Sequence, residues 1–164
     1  MCFEALLAIL LSLAVWNGDA ALSPESRTVL YSPTIDAICR VGKTPQEQAW
    51  LAAQAYSETH LASYVLTERC SAGPVGSRCD AGLATGPWQL HLHCRDAWKA
   101  TTYQERLDAG ARCAVRGARH GSTVCGIRGA FGFQTGIRVC SGNWIEPRVR
   151  LYRLILGRMA EVQR

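Results

Sequence analysis

The sequence predicts a mainly α-helical domain, formally α+β, with one small irregular or β-hairpin region and disulfide cross-links. Three observations predict it. Apolar stretches with helical spacing follow Ser-Pro, Thr-Pro and Thr-x-x-Glu starts; the stretch between Glu58 and Cys94 is instead rich in glycine and cysteine; and eight cysteines fall in 164 residues. At this length the chain holds one domain around one apolar core, since natural domains cluster at roughly 100–150 residues. With 48% hydrophobic and 19% charged residues it has a globular composition, neither disordered nor fibrous.

The first element is the apolar run Ala5–Val15, which has the length of a signal-peptide core and is too short to span a bilayer. Glu4 stands where such leaders carry a positive charge, so two assignments stay open: residues 1–21 as a signal peptide, or as an N-terminal helix of the domain. Under the first, residues 22–164 are the single mature domain. Cysteines are scarce in reducing compartments, and their number here favours export to a periplasmic or extracellular space. Removing a leader would take Cys2 with it and leave 8 − 1 = 7 cysteines, one of them unpaired. Close spacing makes Cys70 with Cys79 and Cys125 with Cys140 the simplest pairs, though sequence does not fix connectivity.

Ser23-Pro24 and Ser32-Pro33 each place a capping hydroxyl before proline, which predicts two short N-terminal helices. Thr44, Pro45 and Glu47 make a capping box ahead of Ala49, Trp50, Leu51, Ala52 and Ala53, in a helix running to about Glu58. Cys70, Gly73, Pro74, Gly76, Cys79, Gly82 and Gly86 then mark irregular chain or a hairpin. A second capping box, Thr102 with Glu105, opens a helix carrying Leu107, Ala111, Ala114 and Val115, with Gly121 as its stop. A third helix follows Cys125. From Pro147, the residues Val149, Tyr152, Ile155, Leu156, Met159 and Val162 define a closing amphipathic helix whose arginines form a solvated face.

The formal charge is +5, and loss of residues 1–20, with Glu4 and Asp19 the only charged side chains among them, would make it 5 + 2 = +7. Such a surface attracts polyanions. The arginines are scattered, not gathered into the concentrated stripe that nucleic-acid binding requires, so no nucleic-acid partner is expected.

Chemistry centres on Glu58. It lies seven residues after Leu51 and three after Ala55, which puts its carboxyl on an apolar helix face, where burial favours the protonated acid. After it, Asp80, Gly82, Gly86, Trp88, Gln89 and Leu90 follow the spacing D-x-G-x-x-x-G-x-x-Q-hydrophobic, and Phe133, Gln134, Thr135 and Gly136 form a third segment. Ser57 with Glu58, then Gly86-Pro87-Trp88-Gln89, then Phe133-Gln134-Thr135-Gly136, in that order, resemble the lysozyme-like superfamily. The nearest patterns are soluble lytic transglycosylases and goose-type lysozymes, whose segments read Glu-Ser, Gly-Leu-Met-Gln and Ala-Tyr-Asn-x-Gly.

The resemblance runs from Thr44 to Cys140. It implies a lysozyme-like helical fold and cleavage of the β-1,4 bond between N-acetylmuramic acid and N-acetylglucosamine in peptidoglycan. Glu58 would be the acid and then the base. Ser57, Gly86, Trp88, Gln89, Phe133 and Gln134 would bind the sugar strand, by a monomer that uses no metal or cofactor and inserts into no membrane.

Departures from the pattern bear on the acid. Thr59 follows Glu58 where relatives have serine; Phe133 replaces the tyrosine whose hydroxyl holds the glutamate; and Gln134 replaces asparagine. The missing hydroxyl removes one hydrogen bond, about 1 kcal/mol, and Tyr56, Tyr64 and Tyr103 are the candidates to replace it. Asp80 divides the subclasses. A lysozyme-type hydrolase needs a second carboxylate, whereas a transglycosylase works with the glutamate alone while the muramoyl 6-hydroxyl closes a 1,6-anhydro ring. Asp80 also suits a simple turn role beside Cys79. His91, His93 and Cys94, with His60 or His120, have a zinc-like spacing without a second paired motif, and no metal is expected. A catalytically silent wall-binding module of the same fold is the rival from another class.

Overall fold

A computed structural model of the chain describes residues 1–68, 84, 86–90, 94, 99–133 and 140–162. Six helices form in order: α1 Cys2–Ser12, α2 Pro24–Val41, α3 Pro45–Thr59, α4 Ser63–Leu66, α5 Tyr103–Phe133 and α6 Ile145–Val162. No strand occurs among the described residues. The domain is therefore mainly helical, and most of the segment expected to be irregular or a hairpin lies outside the described residues.

α3 is the central element. Its residues Ala49–Ala55 are all buried, so it is covered on every side rather than along one stripe. The cause is local: five of those seven residues are alanine or leucine and none is β-branched, which suits a helix interior, and the alanines let α2, α5 and α6 approach closely. Its start is the predicted one, with Thr44 Oγ1 accepting from Glu47 N at 3.2 Å. The reciprocal half is shifted by one residue, since the Glu47 carboxylate receives Lys43 N at 2.8 Å rather than the cap's own amide. At Thr102 and Glu105 the box is complete in both directions, at 3.0 and 3.2 Å. These backbone and side-chain bonds from Thr102 hold the Glu105 carboxyl below its usual range.

Three expectations are corrected. Pro33 does not start a second helix: α2 is one helix of 18 residues with Pro33 inside it. The break is avoided because Tyr31, Thr34, Ile35 and Ile38 are buried on one face, and that packing outweighs the single missing backbone bond. Gly121 does not stop α5. The helix continues to Cys125 and Gly126, where the backbone leaves helical geometry (φ −146° and +57°), and a second segment follows from Ile127. Gly126 supplies the left-handed conformation. The close return across the break rests on Gly129, where a Cβ would strike the backbone carbonyl oxygen of Gly121.

The third correction concerns Cys2, which bonds to Cys39; Cys94 bonds to Cys113 and Cys125 to Cys140. The last is an expected pair. Among the described residues no cysteine is unpaired, and Cys70 and Cys79 lie outside them. The apolar run forms α1, with Ala5, Leu6, Ile9 and Leu10 buried against α2 and α6. No described helix is long and apolar enough to cross a membrane.

The Cys2–Cys39 bridge closes a loop with a sequence separation of 37. In the chain-entropy account such a link stabilises by about 2–4 kcal/mol. The paired Cys2→Ser, Cys39→Ser variant is expected to lower the urea midpoint accordingly, with a somewhat steeper slope because the unfolded chain is no longer cross-linked. An unchanged midpoint would mean that α1 contributes no cross-linked stability to the folded unit.

Candidate active site

Glu58 sits in the last turn of α3, one residue before the end. The chain reverses immediately after it through His60 (φ 50°) and Leu61 (φ 52°), two consecutive non-glycine residues in the left-handed region. Such a pair costs on the order of 1–2 kcal/mol per residue and persists only when its surroundings fix it. Thr59 does so. It is buried, its hydroxyl donates to Ala55 O at 2.8 Å, and the same oxygen accepts Leu61 N at 3.1 Å. The threonine that departs from the family pattern thus holds the turn.

This reversal opens a cavity of about 490 Å³ beside the carboxyl, lined by Ser57, Glu58, Thr59, His60, Tyr64 and the segment Ala14–Asn17. That segment is tied down at several points. Tyr56 donates its hydroxyl to Ala14 O at 2.6 Å, and burial pushes that hydroxyl above its ordinary range. Trp16 stacks edge-on against Tyr64 with ring centroids 5.0 Å apart. Asp19, only 4% exposed, accepts Ser63 N and Ser63 Oγ, each at 2.6 Å. One buried carboxylate therefore clamps the residues before α2 onto the start of α4 and fixes both sides of the cavity.

Asp19→Ala is expected to cost about 1.5–3 kcal/mol in urea unfolding, because it leaves Ser63 N–H without its charged acceptor. Asp19→Asn retains an acceptor and should recover part of the loss. Equal stability of Asp19→Ala and the wild type would show that the clamp contributes nothing.

Gln54 and Arg148 both reach the Glu58 carboxylate. Gln54, one turn back and fully buried, donates Nε2 to Glu58 Oε1 at 2.8 Å. Arg148 from α6 brings Nη1 to 2.9 Å from the same oxygen, both side chains being largely covered at 16% and 22% exposure. The nitrogen–hydrogen direction misses the oxygen, so the contact is an ion pair without a formed hydrogen bond. Trp144 supports the guanidinium from its other side, with the ring centroid 5.0 Å away.

Gln54 and Arg148 are the site residues that the sequence concealed. Gln54 is the sole polar residue in the buried stretch Ala49–Ala55, and that isolation was the available signal. Arg148 belongs to the α6 arginines taken as a solvated face. Arg150, Arg153 and Arg158 are indeed exposed, whereas Arg148 turns inward to Glu58. Of the tyrosines considered for the missing hydroxyl, Tyr56 bonds to Ala14 and Tyr64 lines the cavity. Tyr103 is partly buried, with its hydroxyl pushed up to about 12 chiefly by desolvation.

The second motif has a different place from the one expected. Gly86 (φ 68°) and Gln89 (φ 46°) shape a tight turn in which Gly86 O accepts both Gln89 N at 3.1 Å and Gln89 Nε2 at 3.0 Å. The turn delivers Trp88 into the core, where it is fully buried and donates Nε1 to Leu51 O at 3.0 Å. Trp88 is therefore no open platform for a sugar ring, and Gln89 commits one side of its amide to its own turn. Neither lines the Glu58 cavity, which among the described residues of the expected set gathers Ser57 and Glu58. Asp80 and Gln134 lie outside the described residues, as do His91 and His93. Phe133 is the last residue of α5. Cys94 is engaged with Cys113 and has no thiolate to offer a metal.

No family model, no curated protein and no solved structure matches this chain.

Proposed function

We propose that the chain cleaves the β-1,4 bond between N-acetylmuramic acid and N-acetylglucosamine of peptidoglycan, as an exported lytic transglycosylase with Glu58 as its single acid and base. The observation that carries this reading is the carboxyl of Glu58 at the end of a buried helix, beside a cavity of about 490 Å³ and held by a buried amide. That volume falls within the roughly 300–1,000 Å³ of small-ligand clefts. The order of the three motifs supports the substrate class.

In this mechanism Glu58 protonates the glycosidic oxygen. It then takes the proton of the muramoyl 6-hydroxyl as that oxygen attacks the anomeric carbon and closes the 1,6-anhydro ring. Gln54 suits both forms of the acid. Its NH₂ donates to the carboxylate, and its carbonyl, which has no partner among the described residues, can accept the acid's O–H after an amide flip. Arg148 favours the ionised form that each turnover passes through, and substrate entry that displaces or desolvates the ion pair restores the acid.

The ion pair also favours a second reading, a non-catalytic module of the same build that binds wall glycan. Mass spectrometry of purified peptidoglycan treated with the oxidised protein separates the two. Glu58-dependent 1,6-anhydromuropeptides are expected. Reducing-end products would make the chain a hydrolase and Asp80 its next residue to test, and wall binding without products would establish the module.

A further inference from the structure

A second pair of cavities lies at the opposite end of α3, eleven residues from Glu58, which is about 16 Å along the helix axis. One, of about 290 Å³, is apolar: Trp50, Val115, Ala118, Ile127 and Ala130 form much of its wall. Trp50 is only 3% exposed, and its indole N–H has no partner among the described residues. The cavity wall at this point is therefore the indole ring itself, its nitrogen being covered.

The other cavity, of about 450 Å³, is cationic, with Lys43, Arg112, Arg116 and Arg119 around it. The arginines recur at i, i+4 and i+7, one face of α5, and Arg112 and Arg116 are exposed. The two cavities abut, since Val115 and Arg119 line both. The carboxylate at their junction is already occupied. Glu47 accepts Arg119 Nε at 2.7 Å, pairs with Arg119 Nη2 at 2.6 Å and accepts Lys43 N at 2.8 Å. Asp108 is likewise engaged by Arg40 at 2.9 Å. Counting Arg40 and the two carboxylates that act on it, Asp108 and Asp36, the cavity and its surroundings set five cations against three carboxylates.

An apolar chamber walled by an indole ring, opening beside a surplus of guanidinium groups, has the chemistry of a single molecule with an apolar chain and an anionic head. We infer that this site binds a single-chain anionic amphiphile of the alkyl or acyl phosphate class. The chain fills the cavity against Trp50, and the head is held by Arg112 and Arg116, whose planar donors match phosphate oxygens. The site is independent of the Glu58 chemistry.

Isothermal titration of the full chain with octyl phosphate below its micellar concentration, inorganic phosphate and octanol tests this. Octyl phosphate is expected to bind at one site at least about tenfold more tightly than either half-ligand, since burial of the chain and pairing of the head add. Arg112→Gln with Arg116→Gln should weaken octyl phosphate by about tenfold or more. Ser122→Phe, an exposed position at the apolar mouth, should weaken octyl phosphate and leave inorganic phosphate unchanged. Thermal melts of the variants establish that they fold. Equal affinity for octyl and inorganic phosphate would overturn the proposal in favour of a bare anion site. Equal affinity for octyl phosphate and octanol, binding without saturation at one site, or no binding would overturn it as well.

Discussion

Glu58→Gln is expected to reduce release of anhydromuropeptides from peptidoglycan by at least about 10²–10⁴-fold, the range that a positioned general acid and base supplies. The substitution keeps the shape of the side chain and an oxygen that can accept from Gln54 Nε2, but it offers no proton of useful acidity. It also deprives Arg148 of its counter-charge at a position only 16% exposed. A modest fall in stability should therefore accompany the loss, softened by the Trp144 ring that still faces the guanidinium. The two effects separate experimentally. Assays well below the variant's melting temperature report chemistry alone, and Arg148→Met with Glu58 intact reports the ion pair alone. Undiminished product release by Glu58→Gln would exclude Glu58 as the acid.

Trp88→Ala is expected to cost about 3–5 kcal/mol, read as a large drop in urea midpoint. The side chain is fully buried, and its removal leaves a cavity beside α3 that neighbours on a buried helix cannot readily close. Trp88→Phe keeps most of the ring and loses the bond from Nε1 to Leu51 O, so a cost nearer 1 kcal/mol is expected. This pair also distinguishes the two roles that tryptophan could have. A sugar platform would show a raised KM with stability intact, whereas a core residue shows the reverse.

The helices were legible because their signals are local. The cap at Ser23, the box at Thr102 and the side-chain cap at Thr44 are hydrogen bonds within three or four residues, and the structure contains each of them, with only the reciprocal half of the Thr44 box moved to Lys43 N. What failed was also local in form but decided by tertiary contacts. Ser32-Pro33 has the chemistry of a helix start, yet burial of Thr34, Ile35 and Ile38 keeps α2 continuous. Gly121 resembles a stop, yet α5 runs on to Cys125 and Gly126, and Gly129 packs against the Gly121 carbonyl across the break. Glu58 could be singled out from its place on an apolar face, but its partners span different ranges. Gln54 is one turn away and was visible in principle; Arg148 is 90 residues on, and nothing in the spacing of the α6 arginines marks the one that turns inward. For Trp88 the motif carried a role from the family pattern, and only packing shows that the indole faces α3.

The way α3 is enclosed bears on how this site can diversify. Ser57 and Glu58 stand on a helix whose preceding turns are buried among α2, α5 and α6, so almost any change beneath them disturbs the whole domain. The residues opposite, Ala14–Asn17 and Tyr64, belong to short connecting segments anchored at a few points such as Asp19. The floor of the cavity is conservative by construction and its walls are free to vary, as expected where reactive groups rest on a rigid scaffold and loops set preference. If Glu58 acts as proposed, selection for a new substrate would act first on the walls, and the glutamate would be inherited unchanged.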